Sequence, residues 1–586
     1  MAKRKPLDPA SGKTPCLRTI DLSPAKWVWL PSQRTLSNTF VLFRRVLCLE
    51  EKPVKASGWV SADSRYVLSV NGRRVQRGPA PCDPRWLDAD PVDLLPFLSN
   101  GENVVGAEVL YYGFGDGTWP AGKPGFIMNV ELEYPGGRTE RLATDAQWLC
   151  LLDRSRRPGQ YKRWYLRSLQ EEFDARLYPY GWDAPGFAPD ARWAQAMELA
   201  VPANKPPASG GYPDYMNDCT VDGDISALAP REIPPMREFD VPVKALAESF
   251  LVRWKRDPAD WFDCRMPDAF SIERKAAAVE KSPGAWELPP AAPGEGIALT
   301  FELPEQLVGW PFFTIDAPEG AVVEIMTQES HALSGNPWLD NHWFRWARLI
   351  CREGENRFEC FEYESLRWMQ LHVRNSARPV TVRGVGVRRR IYGWPCEARI
   401  ACADPAVQKT IGAALNTLFN SAQETCVDGM GRERQQYSGD VGHQLHAVRY
   451  TFGETRLPAR FLRTFSQGLT LDGYFLDCWP AYDRLARMSQ RQVQATRWGP
   501  LIDHGVGFCF DNWNHYLETG SLDDLREPWP RLLRFEKYIE SIVGDDGLLP
   551  VENLGIPAVW MDHVGFNMQR HKQCSFLSLI HISEPT

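Results

Sequence analysis

The segment DGMGRERQQYSGD, residues 428–440, carries Asp428, Glu433 and Asp440, with Arg432 and Arg434 among them. Carboxylates brought this close repel one another when ionised. The repulsion raises the pKa of one of them toward neutrality, which is what a group needs in order to deliver a proton to a leaving oxygen. The two guanidiniums act the other way, so the geometry of the folded loop decides the balance. The same residues have plainer uses. Asp440 can cap a helix, and each arginine can pair with a neighbouring acid. Asp440, His443 and His446 have a spacing that can bind a metal on one helix face. The helix alone explains that spacing and no further ligand cluster is visible, so no metal and no cofactor is expected.

The elements on either side must hold this loop. Upstream, Asp404-Pro405 is a capping residue followed by proline at the first helical position. Val407, Ile411, Leu415 and Leu418 then share a helical face. A second helix opens near Asp440, and further helical patterns cover 458–469, 503–518 and 526–543. The chain ahead of them reads as β. SGWVSADSRYVLSVNGRRV alternates apolar and polar residues and turns at Asn71-Gly72, a strong hairpin signal. PGFIMNVELEYPGGRTERL repeats the pattern, with a turn at Pro135-Gly136-Gly137. Residues 1–235 are predicted to form a β-sandwich closed by a Pro/Gly-rich linker at 202–235, and 236–392 a second sandwich. In the latter, GIALTFELPEQLVGWPFFTIDAPEGAVVEIMTQES reads as three strand-like runs. Strands first and helices afterwards imply separate domains, not a wound α/β sheet.

Composition narrows the function classes. The chain has 586 residues, net charge −7 and a pI near 5.9. Neither a basic stripe nor a nucleic-acid motif appears, so no nucleic-acid partner is expected. No segment approaches the roughly 20 apolar residues of a membrane span, and the basic N-terminus lacks the apolar run of a secretory signal. The 14 cysteines are scattered without CxxC spacing, which reads as reduced thiols in a cytoplasmic protein. SGKT at 11–14 fails as a phosphate loop, because Leu7 stands where the first Gly belongs. The 23 Trp suit surfaces that stack on sugar rings, and equally suit aromatic-rich sandwich cores.

DGMGRERQQYSGD resembles the signature loop of the bacterial alpha-L-rhamnosidases, glycoside hydrolase family 78. YVLSVNGRRV resembles that family's N-terminal sandwich, FECFEYESLRWMQLHV the β segment before its barrel, and DHGVGFCFDNWNHYLETGSLDDL and WMDHVGF parts of the barrel itself. The resemblance implies N-terminal β-sandwich domains followed by a partial (α/α)6 six-hairpin barrel from residue 393. It implies an inverting exo-glycosidase that releases terminal alpha-L-rhamnose, with rhamnosides as the carbohydrate partner. Glu433 matches the general acid, and Asp428, Arg432 and Asp440 match residues lining the sugar pocket. Tyr437 stands where the family usually has Trp, which leaves the identity of the sugar open. Trp479, Trp560 and Asp562 are further substrate-binding candidates, with core packing or capping as the alternative for each. Two other readings stand beside this one: a carbohydrate-binding protein with a degenerate barrel, and a same-fold glycosidase acting on another sugar.

An inverting enzyme needs a second carboxylate roughly 6.5–9.5 Å from the acid. In the family that base lies far downstream, so none is expected in this chain. About six or seven helices of ordinary length fit after residue 400, where twelve are needed. The expectation is an N-terminal portion of the barrel over 393–576, followed by a non-native tail at 577–586.

Overall fold

The structure is a computed structural model. It describes residues 18–32, 34–113, 119, 122–157, 171–208, 226–259, 263–266, 268–274, 278–339, 346–432, 434–470, 473–476, 478–481 and 502–545. Two β units precede a helical one, the order expected.

The first unit is two sheets packed face to face. One runs in the order Ala194–Gln195, Leu149–Leu152, Thr39–Leu49, Gly101–Tyr111, Arg65–Val70, Arg73–Gly78. The other is built on Gly125–Glu133 and Lys55–Asp63. Alternation puts Val41, Phe43, Val105 and Val109 of the first sheet against Val60, Phe126, Met128 and Val130 of the second, all fully buried. The hairpin at Asn71-Gly72 forms as expected. Both residues take positive φ, 52° and 73°, the twist that a two-residue turn needs to join right-twisted strands. The expected linker is partly sheet. Ala229–Pro230 pairs in parallel with Asp88–Asp93, and Leu228 is buried.

Among the described residues the second unit is a single network of twelve strands that buries two apolar clusters, one around Leu299, Phe301 and Leu371 and the other around Trp254, Trp338 and Trp368. The three runs anticipated in 296–330 are two strands. Glu295–Ala317 is continuous over 23 residues, and Val322–Gln328 follows it. Pro304 does not break the long strand, because the register slips between Glu302 and Leu307. A proline lacks the N–H a ladder requires, and an irregularity of this kind is where it does no harm. Glu172–Asp174, from the first part of the chain, pairs in parallel with Trp346–Ile350 and so belongs to the second unit's sheet.

Five helices are described: Pro405–Ser421, Ser438–Phe452, Arg456–Ser466, Ile502–Thr519 and Trp529–Ile542. Asp404 caps the first, its carboxylate accepting from the N–H groups of Ala406 and Val407. That helix corrects one expectation. Of the four residues assigned to its apolar face only Leu418 is buried, while Val407 is 46% exposed. The helix leans on the second β unit through Asn416 and Asn420, whose amides both donate to the Gln306 carbonyl. The other four helices bury Val448, Phe461, Phe465, Phe508 and Phe535 in one core, which Tyr392 joins from the β side.

Candidate active site

The first helix stops at Ser421, and the chain doubles back at once. Val427 N–H donates to the Ser421 carbonyl, and an isolated bridge links Ala422 to Cys426. The charged loop then leaves and returns at a single closure. Asp428 N–H donates to the Gln435 carbonyl, and Gln435 N–H donates to Asp428 Oδ1 at 2.9 Å. Asp428 thus shapes the loop with one carboxylate oxygen.

Arg434 anchors the loop from below. Its side chain is buried and its backbone takes φ 51°. Nη2 donates to Glu364 Oε2 at 2.9 Å, Nη1 to the Tyr363 carbonyl and Nε to the Met430 carbonyl. The guanidinium lies over the Tyr363 ring, 4.2 Å from its centroid. Burial opposes its charge, but Glu364 and the neighbouring acids outweigh that and raise its pKa. Sequence reading set Arg434 against the carboxylates of its own loop. Its partner is instead an acid of the strand Glu364–Arg374, and the reason is burial: a guanidinium removed from water requires a buried counter-charge.

Beyond the loop, Gln436 and Tyr437 run beside Cys478 and Trp479. Tyr437 bridges to Cys478, and Gln436 Nε2 donates to the Trp479 carbonyl at 2.7 Å. Ser438 opens the next helix, and its hydroxyl donates to the His504 carbonyl. Asp440 sits exposed in that helix's first turn, where the helix dipole favours negative charge.

Asp428, Arg432, Tyr437 and Asp440 therefore belong to one continuous structure. Glu433, Trp560 and Asp562 lie outside the described residues. Trp479 is corrected. It is fully buried and its indole N–H donates to Asp83 Oδ2 at 3.1 Å, so its ring is a core element joining the helices to the first sandwich, without a free face for a sugar. His446 meets Glu518 at 3.1 Å, and His443 is exposed.

Two features escaped the sequence reading. His504 lies under the start of the Ser438–Phe452 helix, its ring 6.2 Å from that of Tyr437 and its Nδ1 without a hydrogen-bond partner among the described residues. The signal was an Asp-His pair at a helix start. The second is a buried charge cluster just upstream of the loop. Glu424 meets Arg390 at 2.9 Å, Arg231 at 3.0 Å and Arg65 at 3.4 Å. Burial penalises its ionised form, yet the three guanidiniums prevail and hold its carboxyl far below the usual range. Arg65 and Arg231 are contributed by the first β unit and its connection, Arg390 by the second, so all parts of the chain converge behind residues 424–434. A cleft lined by Arg65, Tyr112, Tyr363, Glu424, Met430 and Arg434 opens there. Among the described residues no group of three or more His, Cys, Asp or Glu could hold a metal ion.

Residues 51–213 match the model of the alpha-L-rhamnosidase N-terminal domain, and residues 396–568 that of the bacterial alpha-L-rhamnosidase six-hairpin glycosidase domain. Among solved structures, the fold is similar to a family 78 rhamnosidase of Bacillus sp. GL1, at 18% identity and TM-score 0.73, over 90% of this chain and 70% of that one. It is also similar to alpha-L-rhamnosidases from Dictyoglumus thermophilum (14% identity, TM-score 0.61) and Aspergillus terreus (16%, 0.61). Each covers 90% of this chain, which spans 52% and 53% of theirs, about half their length. No curated protein matches the chain.

Proposed function

Because the chain belongs to the bacterial alpha-L-rhamnosidase family of glycoside hydrolases, we propose that it acts in the release of terminal alpha-L-rhamnose from glycosides or oligosaccharides, with inversion and with Glu433 as the general acid. The observation that carries the reading is the construction of the loop around residue 433. Its two ends are tied together at Asp428 and Gln435, and the residue after Glu433 is anchored in the β unit by Arg434. A general acid works when its proton is held at a fixed place, since small misplacements forfeit much of the rate. Asp428, Arg432, Tyr437 and Asp440 are the residues we assign to holding the sugar. The described cysteines are free thiols, which supports a cytoplasmic setting.

The test is hydrolysis of an aryl alpha-L-rhamnoside by the protein with its barrel completed, which supplies the general base, followed by proton NMR of the first-formed sugar. Inversion is expected, and retention would defeat the mechanism. Glu433→Gln is expected to lower kcat by roughly 10²–10⁴ on a natural glycoside, and less on aryl substrates whose leaving groups need little protonation. Undiminished activity would move the role to another residue. A panel of aryl glycosides tests the sugar, because Tyr437 brings a phenol edge to that space.

A further inference from the structure

A cavity of about 510 Å³ opens in the first sandwich, and none of the candidate active-site residues lines it. Leu30, Leu36, Leu152 and Leu177 form its apolar wall. Leu36 and Leu177 are 61% and 48% exposed, apolar surface that a ligand would cover. Three arginines and one acid also line it: Arg34, Arg154, Arg192 and Asp153.

Their charges do not cancel at the cavity. Asp153 is buried and turned inward, one oxygen accepting from Ser155 and the other from Arg156 Nη1 at 3.1 Å. Arg192 is paired with Asp190 at 2.7 Å. Arg34 and Arg154 are exposed, and among the described residues neither guanidinium has an ion-pair partner. The result is an apolar hollow with two uncompensated positive charges on its walls. Ligand sites commonly have this form, roughly 300–1,000 Å³ of mainly apolar wall with a few placed polar groups.

We propose that this cavity binds a small amphipathic carboxylate, with its apolar body on the leucines and its carboxylate taken by Arg34 and Arg154. A guanidinium presents a planar fork of donors that matches a carboxylate, and a charged pair of this kind is stronger than a neutral hydrogen bond. A neutral sugar would leave both charges unanswered and gain little from the leucines. The site is separate from the glycosidase reading and stands without it.

Isothermal titration calorimetry of the whole chain with octanoate tests this, with octanamide as the neutral probe of the same chain length. Octanoate is expected to bind about 10-fold or more tightly than octanamide, the worth of a charged hydrogen bond. The double variant R34Q/R154Q is expected to bring the two probes to the same affinity, and Leu177→Asn to weaken both. All three positions are exposed, and thermal melting of the variants verifies their folding. Absence of octanoate binding, equal binding of the two probes to the unaltered chain, or octanoate affinity untouched by R34Q/R154Q would each overturn the proposal.

Discussion

Glu424→Gln removes one negative charge and almost no volume. In the folded chain Glu424 is 3% exposed and faces three guanidiniums. After the substitution Arg231 keeps Asp90 at 3.2 Å, but Arg390 and Arg65 lose the carboxylate they share. Arg390 is the worse placed, since among the described residues its Nε and Nη1 already have no hydrogen-bond partner. Taking one partner from a buried ion pair costs about 3–5 kcal/mol, because the charge left behind stays desolvated. A cooperative unit of 150–250 residues loses roughly 2–4 °C of Tm per kcal/mol, so the melting temperature should fall by roughly 6–20 °C. Differential scanning calorimetry near pH 7 measures it. The double variant E424Q/R390M should recover part of the loss, since it also removes the stranded cation. A Tm for Glu424→Gln within about 2 °C of the unaltered chain, well under the range just given, would refute the reasoning. So would a double variant whose losses simply add, because residues in contact are expected to couple.

Asp511, on the helix Ile502–Thr519, is pushed up to about 8 by burial, and among the described residues its Oδ2 has no hydrogen-bond partner. The unfolded carboxyl titrates near 3.8, so the folded chain holds a proton that the unfolded chain releases, and stability falls as pH rises between these values. Asp511→Asn should therefore gain on the unaltered chain by up to roughly 1.4 kcal/mol per pH unit across that window; a difference in urea midpoint that stays flat from pH 5 to 8 contradicts this. Gly505 and Gly507 share that helix and should respond oppositely to alanine. A methyl at Gly505 would lie 2.5 Å from the Phe535 ring, whereas one at Gly507 meets nothing within 4 Å among the described residues. Gly507→Ala should stabilise by up to about 1 kcal/mol and Gly505→Ala should destabilise by about 1–3 kcal/mol, as read from chemical denaturation; equal effects would dismiss the packing argument. Arg434→Lys forfeits at least two of the three hydrogen bonds to Glu364, Tyr363 and Met430, so a loss of about 1–3 kcal/mol is expected, and a urea midpoint like that of the unaltered chain would show that the loop is anchored elsewhere.

What was legible in the sequence was local. The Asn71-Gly72 turn, the Asp404-Pro405 cap and the five helical patterns depend on residues a few positions apart, and each appears where its pattern lies. The family likeness was most specific in the 428–440 loop, with further segments on both sides of it, and is matched by models over two separate stretches. What could not be read depends on partners distant in the chain. Arg434 looks like a loop charge until Glu364 is seen beneath it. Trp479 looks like a stacking platform until Asp83 takes its N–H. Val407 and Leu418 share a helical period, but only Leu418 reaches the core that the other helices build, which the period does not reveal. The segment 296–330 reads as three runs and folds as two strands, because the irregularity that accommodates Pro304 is a property of the paired strands.

The strand Glu172–Asp174 has a consequence for how the chain is made. Its parallel partner is Trp346–Ile350, so ribosomal synthesis must add 176 further residues, from 174 to 350, before the pair can be completed. At about 5–20 residues per second that is a wait of roughly 9–35 s. During it the first sandwich can assemble from its own strands, while Phe173, destined for the second unit's core, remains without its cover. The nascent chain thus passes through a period in which one folded unit carries an unpaired strand, with Phe173 at its centre, belonging to the next. Slowing translation beyond residue 174 lengthens that exposure, and chaperone demand during synthesis should rise with it.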